Sequence, residues 1–413
     1  MNVILMNKNT EVLKAEMDDN TFKDIIEIYN IEYAPMQVYN AYNDKSKNVS
    51  KALNEWFKGR GIPSWRKDLR SLLENIGVSY PEELLLKSFG LSLSDQYWIK
   101  EENSDVLWEN INFFDNDFEY LGYLEVTYSS NIEHRVSLAS PNNTTDGMLS
   151  KAWLIDEGKR KLMKGTYALA NQEPINEYIA SLICDRLNID HVSYKITTYN
   201  NKLVSVCDNA LNSNEEIISA YDIFTSKKQS NNDSDYTHYI NLLRDMGITD
   251  PEKELSNMYL IDYIMMNYDR HMKNYGVIRN VETLKIEKTM PIFDNGQGLC
   301  CDKTLMELDF TNGKYKLFNN INARFSDLIK YIDLSLYDLD KLNDIPNILN
   351  NTLHEYIMYT DMSEDRIDKV VKGINYRIEY LKDLKESNEW LTSFITFLIH
   401  WLLNYNYLPH LYS

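Results

Sequence analysis

The chain has 413 residues, of which 44% are hydrophobic, 12% aromatic and 25% charged, and its 43 Lys plus Arg against 62 Asp plus Glu give a formal net charge of −19. These fractions are globular and exclude a mainly disordered, collagen-like or coiled-coil chain, while the length suits two or three domains or one large bilobal unit. The acidic field disfavours the whole chain as a non-specific binder of nucleic acid or anionic membrane, so any phosphate site has to be built locally.

In chain order, residues 1–119 read as a mostly helical domain. The apolar run Val3 to Met6 is too short for the core of a signal peptide. The clearest helix spans Pro63 to Ile76, with Trp65, Leu69, Leu72, Leu73 and Ile76 on one face and Gly77 as its stop; a second holds Leu53, Trp56 and Phe57. Lys58, Arg60, Arg66, Lys67 and Arg70 cluster between and within them and read as a solvated helix face rather than a contact to an acidic partner.

Residues 120–208 change to short alternating runs, LEVTY, HRVSLA, KAWLI and RKLMKG, which predict an antiparallel sheet. Pro174 then opens a helix with Ile175, Ile179, Leu182, Ile183 and Leu187 at helical spacing, and the runs VSYKITTY and KLVSVC complete a sheet-plus-helix unit. Residues 209–385 begin with a polar loop, Thr225 to Tyr236, and are otherwise mainly helical. Asp250-Pro251 starts a helix whose Leu260, Ile261, Ile264 and Met265 face a core. Residues 386–413 form an apolar tail. Its stretch Trp390 to Leu403 is shorter than the roughly 18 to 20 residues needed to span a bilayer and is expected to dock as a helix. Cys184, Cys207, Cys300 and Cys301 make no CxxC pair, which is reduced, cytoplasmic usage without a zinc site.

The chemistry concentrates where the helix from Asp250 ends. Asn267-Tyr-Asp-Arg-His-Met-Lys-Asn-Tyr-Gly276 is a polar loop, Val277-Ile278 is strand-like, and Met290-Pro-Ile-Phe-Asp-Asn-Gly296 delivers Asp294 into a turn. Phosphoryl transfer needs such parts: one carboxylate to orient the attacking hydroxyl and accept its proton, and an amide oxygen with a second carboxylate to hold Mg²⁺ against phosphates. Asp269 and Asn274 stand five apart, as in a kinase catalytic loop, and Asp294 follows where the metal-binding aspartate belongs. Upstream, the backbone of Ser140 to Gly147 is suited to cover phosphates, although it holds a single glycine. Lys164 at the end of a strand is placed to reach the α- and β-phosphates, and Glu177 on the next helix to pair with it. Singly, Lys164 and Glu177 are better explained as a surface strand lysine and an exposed helix residue, and Asp-x4-Asn recurs by chance in most proteins; as an ordered set of five the functional reading wins.

These motifs, NYDRHMKNYG (267–276), PIFDNG (291–296), SPNNTTDGMLSKAW (140–153), LMKG (162–165) and EPINEYIASLICDRL (173–187), resemble those of the HipA-like serine/threonine kinases. The resemblance covers roughly residues 120–380. It implies an α+β, bilobal protein-kinase-like fold, here with a helical N-terminal domain and a helical C-terminal subdomain. It implies ATP and Mg²⁺ as cofactors, with Asp269 as catalytic aspartate, His271 bracing its loop, Lys164 and Glu177 as the ion pair, and Asn274 and Asp294 on the metal. By the same resemblance Asn143, Thr144, Thr145 and Gly147 line the phosphate loop, with Lys164 beside them and the adenine near Val206 and Asp208. It further implies a protein substrate with a Ser/Thr acceptor, a separate antitoxin or regulator chain, and self-phosphorylation of the loop at Ser140, Thr144, Thr145 or Ser150. The alternatives are transfer to a lipid headgroup, transfer of AMP, and a catalytically dead nucleotide-binding or partner-binding module.

Overall fold

The computed structural model describes residues 1–62, 73–74, 77–78, 80–129, 133–134, 136–144, 150–318, 320 and 322–405, with 388–405 described as helix only. The chain opens with β1 (Asn2–Asn7), β2 (Thr10–Asp18) and β3 (Thr21–Ile28), followed by helices α1 (Met36–Asn43), α2 (Val49–Lys58) and α3 (Pro81–Lys87), strand β4 (Tyr97–Glu101) and one turn of helix, α4 (Trp108–Ile111). The four strands form an antiparallel sheet in the order β3-β2-β1-β4.

The mostly helical reading of residues 1–119 is therefore corrected to a mixture of sheet and helix. The reason is that β1 is buried on both faces. Val3 and Leu5 pack with Leu13, Leu53 and Phe57, while Ile4 and Met6 pack with Leu93, Trp98 and Trp108. A strand covered on both sides has no apolar/polar alternation to reveal it. Arg60 is also not part of a solvated face. It is buried, pairs with Asp95 at 2.6 Å and lies 4.7 Å from the Trp56 ring. Most of the Pro63 to Ile76 helix, with Arg66, Lys67 and Arg70, lies outside the described residues.

Helix α5 (Leu121–Tyr128) precedes the second sheet, made of β5 (Lys151–Asp156), β6 (Lys159–Lys164), β7 (Tyr194–Tyr199) and β8 (Lys202–Asp208) in the antiparallel order β5-β6-β8-β7, with α6 (Glu173–Leu187) inserted after β6. Both hairpins turn on two residues of positive φ, Glu157-Gly158 (51° and 75°) and Asn200-Asn201 (47° and 58°), the geometry that suits the twist of the flanking strands. The four runs KAWLI, RKLMKG, VSYKITTY and KLVSVC are strands here. LEVTY is instead part of α5, because Leu124 and Tyr128 sit one helical turn apart and both pack on Ala152, Met163 and Val204. The described residues of HRVSLA carry no strand.

The remainder contains β9 (Glu215–Ser219), α7 (Ala220–Phe224), α8 (Asp235–Asp245), α9 (Pro251–Met265), β10 (Gly276–Asn280), β11 (Ile286–Thr289), α10 (Ile345–Glu355) and α11 (Glu364–Tyr405). Asp250 caps α9 by accepting from Lys253 N at 3.2 Å, Pro251 occupies its first turn, and Met266 ends it in a left-handed conformation, φ 50°. One core cluster joins Ile175, Ile179 and Ile183 of α6 to Leu260, Ile261 and Ile264 of α9 and to Val370, Ile374 and Ile378 of α11. Helix α6 thus belongs to both the second sheet and the helical part below it. Among the described residues no helix is long and apolar enough to cross a membrane. Trp390 to Leu403 continues α11, and its side chains lie outside the described residues.

The first sheet is fastened to the third, which runs β11-β10-β9. Ile217 N donates to Ser94 O at 3.3 Å, Gln96 Nε2 donates to Glu215 O at 2.6 Å, and Arg279, paired with Glu216 at 2.5 Å, donates to Tyr97 Oη at 3.1 Å. Arg279, Glu216 and Tyr97 are all buried.

Candidate active site

The last residue of β6, Lys164, is 2% exposed, which demands charged partners, since an isolated buried ammonium is too costly. It finds two. Its Nζ is ion-paired with Glu177 of α6 and donates to Asp294 Oδ1 at 2.6 Å, and it lies 5.2 Å from the ring centre of Tyr194. Burial works against the charge on Lys164, but Asp294 and Glu177 outweigh it and raise its pKa well above the ordinary value. For Asp294, burial opposes ionisation, and Lys164, Lys151 and Arg270 outweigh it, holding the carboxyl well below the usual carboxylate range. The second oxygen of Glu177 accepts from Asn295 N at 2.8 Å. One glutamate therefore holds both the lysine and the turn that carries Asp294, itself in a left-handed conformation at φ 59° that Asp tolerates.

The loop after α9 hangs on a buried pair that sequence reading missed. Asp262 of α9 and Arg270 are 0% and 1% exposed and meet at 2.9 Å. Arg270 also donates to Phe293 O at 2.5 Å, Asn295 Oδ1 at 2.6 Å and Asn274 O at 3.2 Å, so one guanidinium ties the Asp269 loop to the Asp294 turn. Asn267 Nδ2 adds a bond to Asp294 O at 3.2 Å. The available signal was Asp262 itself, a charge at a core-facing position of an apolar helix. Gly276 closes the loop where the chain passes β9 so tightly that a Cβ would lie 2.1 Å from Ile218 O.

Asp269 is partly open to solvent and ion-paired with Lys316, a second residue the sequence did not single out. Asn274 Nδ2 makes a long contact to Asp269 O at 3.4 Å, which leaves Oδ1 as the atom the side chain could offer to a cation. Burial lowers the pKa of His271, assisted by Lys316 and Lys273 and opposed by Asp269 and Asp294. Its Nδ1 accepts from Lys273 N at 3.3 Å, a brace within the loop that fits a neutral ring. The donors offered by Asn274 and Asp294 are hard oxygens, which suit Mg²⁺. Among the described residues no group of three or more His, Cys, Asp and Glu side chains is placed to hold a metal by itself.

Between the second sheet and the Met290–Phe293 segment lies a solvent-open cleft of about 610 Å³, the open solvent at its mouth included, lined by Trp153, Leu162, Tyr194, Cys207, Leu211 and Phe293. Asp208 stands at this cleft, but Val206 does not. It points to the other sheet face, against Leu124 and Met163. Cys207 is inert as a nucleophile, its thiol pushed up to about 12 by burial. In the loop before β5, Asn143 is buried and engaged by Tyr123 Oη and Leu138 O, and Thr144 Oγ1 donates to Leu91 O and Pro141 O, both at 3.0 Å. These side chains are spent on holding the loop rather than offered to phosphates. Thr145 and Gly147 lie outside the described residues. Lys151, paired across the hairpin with Lys164, adds positive charge beside Asp294.

The chain is a mixed α+β protein with this ion pair between a sheet and a helical part. In sequence it is similar to a serine/threonine-protein kinase. It aligns with the serine/threonine-protein kinase CtkA of Helicobacter pylori at 23% identity over 231 residues, 48% of this chain and 70% of that protein. No family model matches. Among solved structures it is similar to the proinflammatory kinase CtkA of Helicobacter pylori, with a TM-score of 0.44 and 21% identity over 59% of this chain and 95% of that one. It is also similar to the toxin HipA of Shewanella oneidensis, solved with HipB and operator DNA, with a TM-score of 0.49 and 12% identity over 93% of this chain and 99% of that one.

Proposed function

We propose that the protein is a Mg-ATP-dependent serine/threonine protein kinase that transfers the γ-phosphoryl group of ATP to a protein hydroxyl. The observation that carries this reading is the ammonium of Lys164, held between Glu177 and Asp294 and lying 5.2 Å from the ring of Tyr194, which lines the apolar cleft. An adenine fits an apolar cleft, and a fixed cation beside a metal-binding carboxylate is what a triphosphate requires. Asn274 and Asp294 would hold magnesium, which would supply neutralising charge at the phosphates. Lys164 steadies the α- and β-phosphates, and Glu177 keeps it aimed. Asp269 orients the acceptor hydroxyl and takes its proton as the oxygen bonds to the γ-phosphorus and the bond to the β-phosphate oxygen breaks, its electron pair leaving on ADP.

The chain divides into units 1–119, 120–208, 209–385 and 386–413, and its partner is the separate antitoxin or regulator chain that the HipA-like resemblance implies. The kinase also modifies its own loop before β5. Ser140 and Thr144 are poor acceptors there, because their hydroxyls donate to the backbone carbonyls of Glu119, Leu91 and Pro141. The test is intact-mass and peptide mass spectrometry after incubation with Mg-ATP. A phosphoryl gain on Ser or Thr that Asp269→Asn abolishes supports the reading; a gain of AMP, or no change with any acceptor, overturns it.

A further inference from the structure

Lys316 has no part in the chemistry above, yet it is ion-paired with Asp269 across 47 positions of sequence. The pairing is built from below. Tyr315, the residue before it, is buried and donates its hydroxyl to Asp262 Oδ2 at 2.7 Å. Arg270, the residue after Asp269, donates Nε to both oxygens of the same carboxylate at 3.1 Å. One buried carboxylate of α9 thus fixes the backbone beside the base and the backbone beside the lysine. The Lys316 segment is closed on itself by Tyr315 N to Ala323 O at 2.8 Å and Phe325 N to Gly313 O at 3.1 Å. The Lys316 and Asp269 side chains keep 48% and 34% of their surface exposed, so the pair is open to solvent and within reach of an incoming acceptor. An exposed pair of this kind adds little stability. A cation fixed where the acceptor oxygen meets the γ-phosphoryl group acts instead on charge that develops during transfer.

Resting on the reading of Asp269 as the base, we propose that Lys316 is a catalytic residue of this site. Its ammonium contacts the γ-phosphoryl oxygens as the acceptor oxygen bonds to phosphorus, while the acceptor proton passes to Asp269 and the electron pair of the broken bond leaves on ADP. Lys316 gives up no proton and remains charged throughout.

The experiment compares ADP release and Mg-ATP affinity for the full chain and for Lys316→Met, Lys316→Arg and Asp269→Asn. Lys316→Met should slow turnover on the order of 10²–10³-fold with Mg-ATP affinity unchanged, and Lys316→Arg should recover part of the rate. If Asp269→Asn is dead while Lys316→Met turns over within about threefold of the unaltered protein, or faster, the proposal falls and the reading of Asp269 stands. If Asp269→Asn itself turns over normally, both fall. Should Lys316→Met fail to bind Mg-ATP, acylation of the unaltered protein decides. Labelling of Lys316 should drop severalfold with Mg-ADP plus aluminium fluoride, a planar phosphoryl mimic, relative to Mg-ADP alone, and unchanged labelling overturns the proposal.

Discussion

Lys164, Glu177, Asp262 and Arg270 are almost wholly buried and bonded to one another's elements, whereas Asp269 and Lys316 keep a third to a half of their side chains in solvent. In the proposed reading the first set is the phosphate side, a network whose charges are desolvated and partnered, and the second is the acceptor side, two exposed groups steered by buried neighbours. The difference teaches that the two halves answer to different measurements: burial ties the first to stability and nucleotide binding, and exposure ties the second to turnover alone.

The sharpest way to break that division is at Asp269. Asp269→Asn should cut turnover on the order of 10³-fold or more, about 4 kcal/mol of barrier, while unfolding midpoints and Mg-ATP affinity stay within error. A large stability loss measured by urea denaturation would erase the contrast. Next comes Asp262→Ala, which strands the Arg270 guanidinium in the core. Breaking a buried pair costs about 3–5 kcal/mol, so the urea midpoint should fall steeply and activity with it. An unchanged midpoint would mean that the network is not what holds the loop. Asp294→Asn should sit between the halves, weakening magnesium-dependent ATP binding in calorimetry by roughly tenfold or more with a smaller loss of stability. Affinity that keeps its magnesium dependence would remove Asp294 from the metal.

The smallest effect is a slope with pH. The folded-state pKa of His271 lies below 6.5, so on acidification the unfolded chain takes up this proton first, and stability falls as pH drops from about 7 through 6.5 toward the depressed value. His271→Asn should flatten that part of the stability profile relative to the unaltered protein, measured by denaturant midpoints at several pH values. An identical slope in both proteins would place His271 in solvent rather than in the loop's interior.

What was legible in the sequence follows the same divide between local and distant bonding. Asp269, Asn274 and Asp294 lie within one short stretch, and each is a polar group in a place where an apolar helix or strand ends, so their pattern could be read. Lys164 and Glu177 could be ordered against them because the strand before one and the helix carrying the other have clear periods. Lys316 could not be read, since nothing in KYKL connects it to a loop 47 positions earlier, whereas Asp262 was a visible charge within the apolar run that defined α9, although nothing local named its partner. In the fold, β5 to β8 alternate and were legible. β1 is covered on both faces, and in α5 the apolar residues satisfy a period of two and a period of four equally well. Asn143, Thr144 and Val206 were placed by position in a motif, and only their packing reveals that their side chains are already employed elsewhere.

The seam between the first and third sheets bears on how far this molecule can be pared down. A chain begun at residue 120 would take away Tyr97 from Arg279, Gln96 from Glu215 and the Ser94 carbonyl from Ile217. That would bare a buried ion pair and the open edge of β9, a surface ready to pair with another chain. The shortest well-behaved catalytic fragment should therefore include the N-terminal sheet, and modular exchange of that sheet between relatives should succeed only when β9 and β10 travel with it.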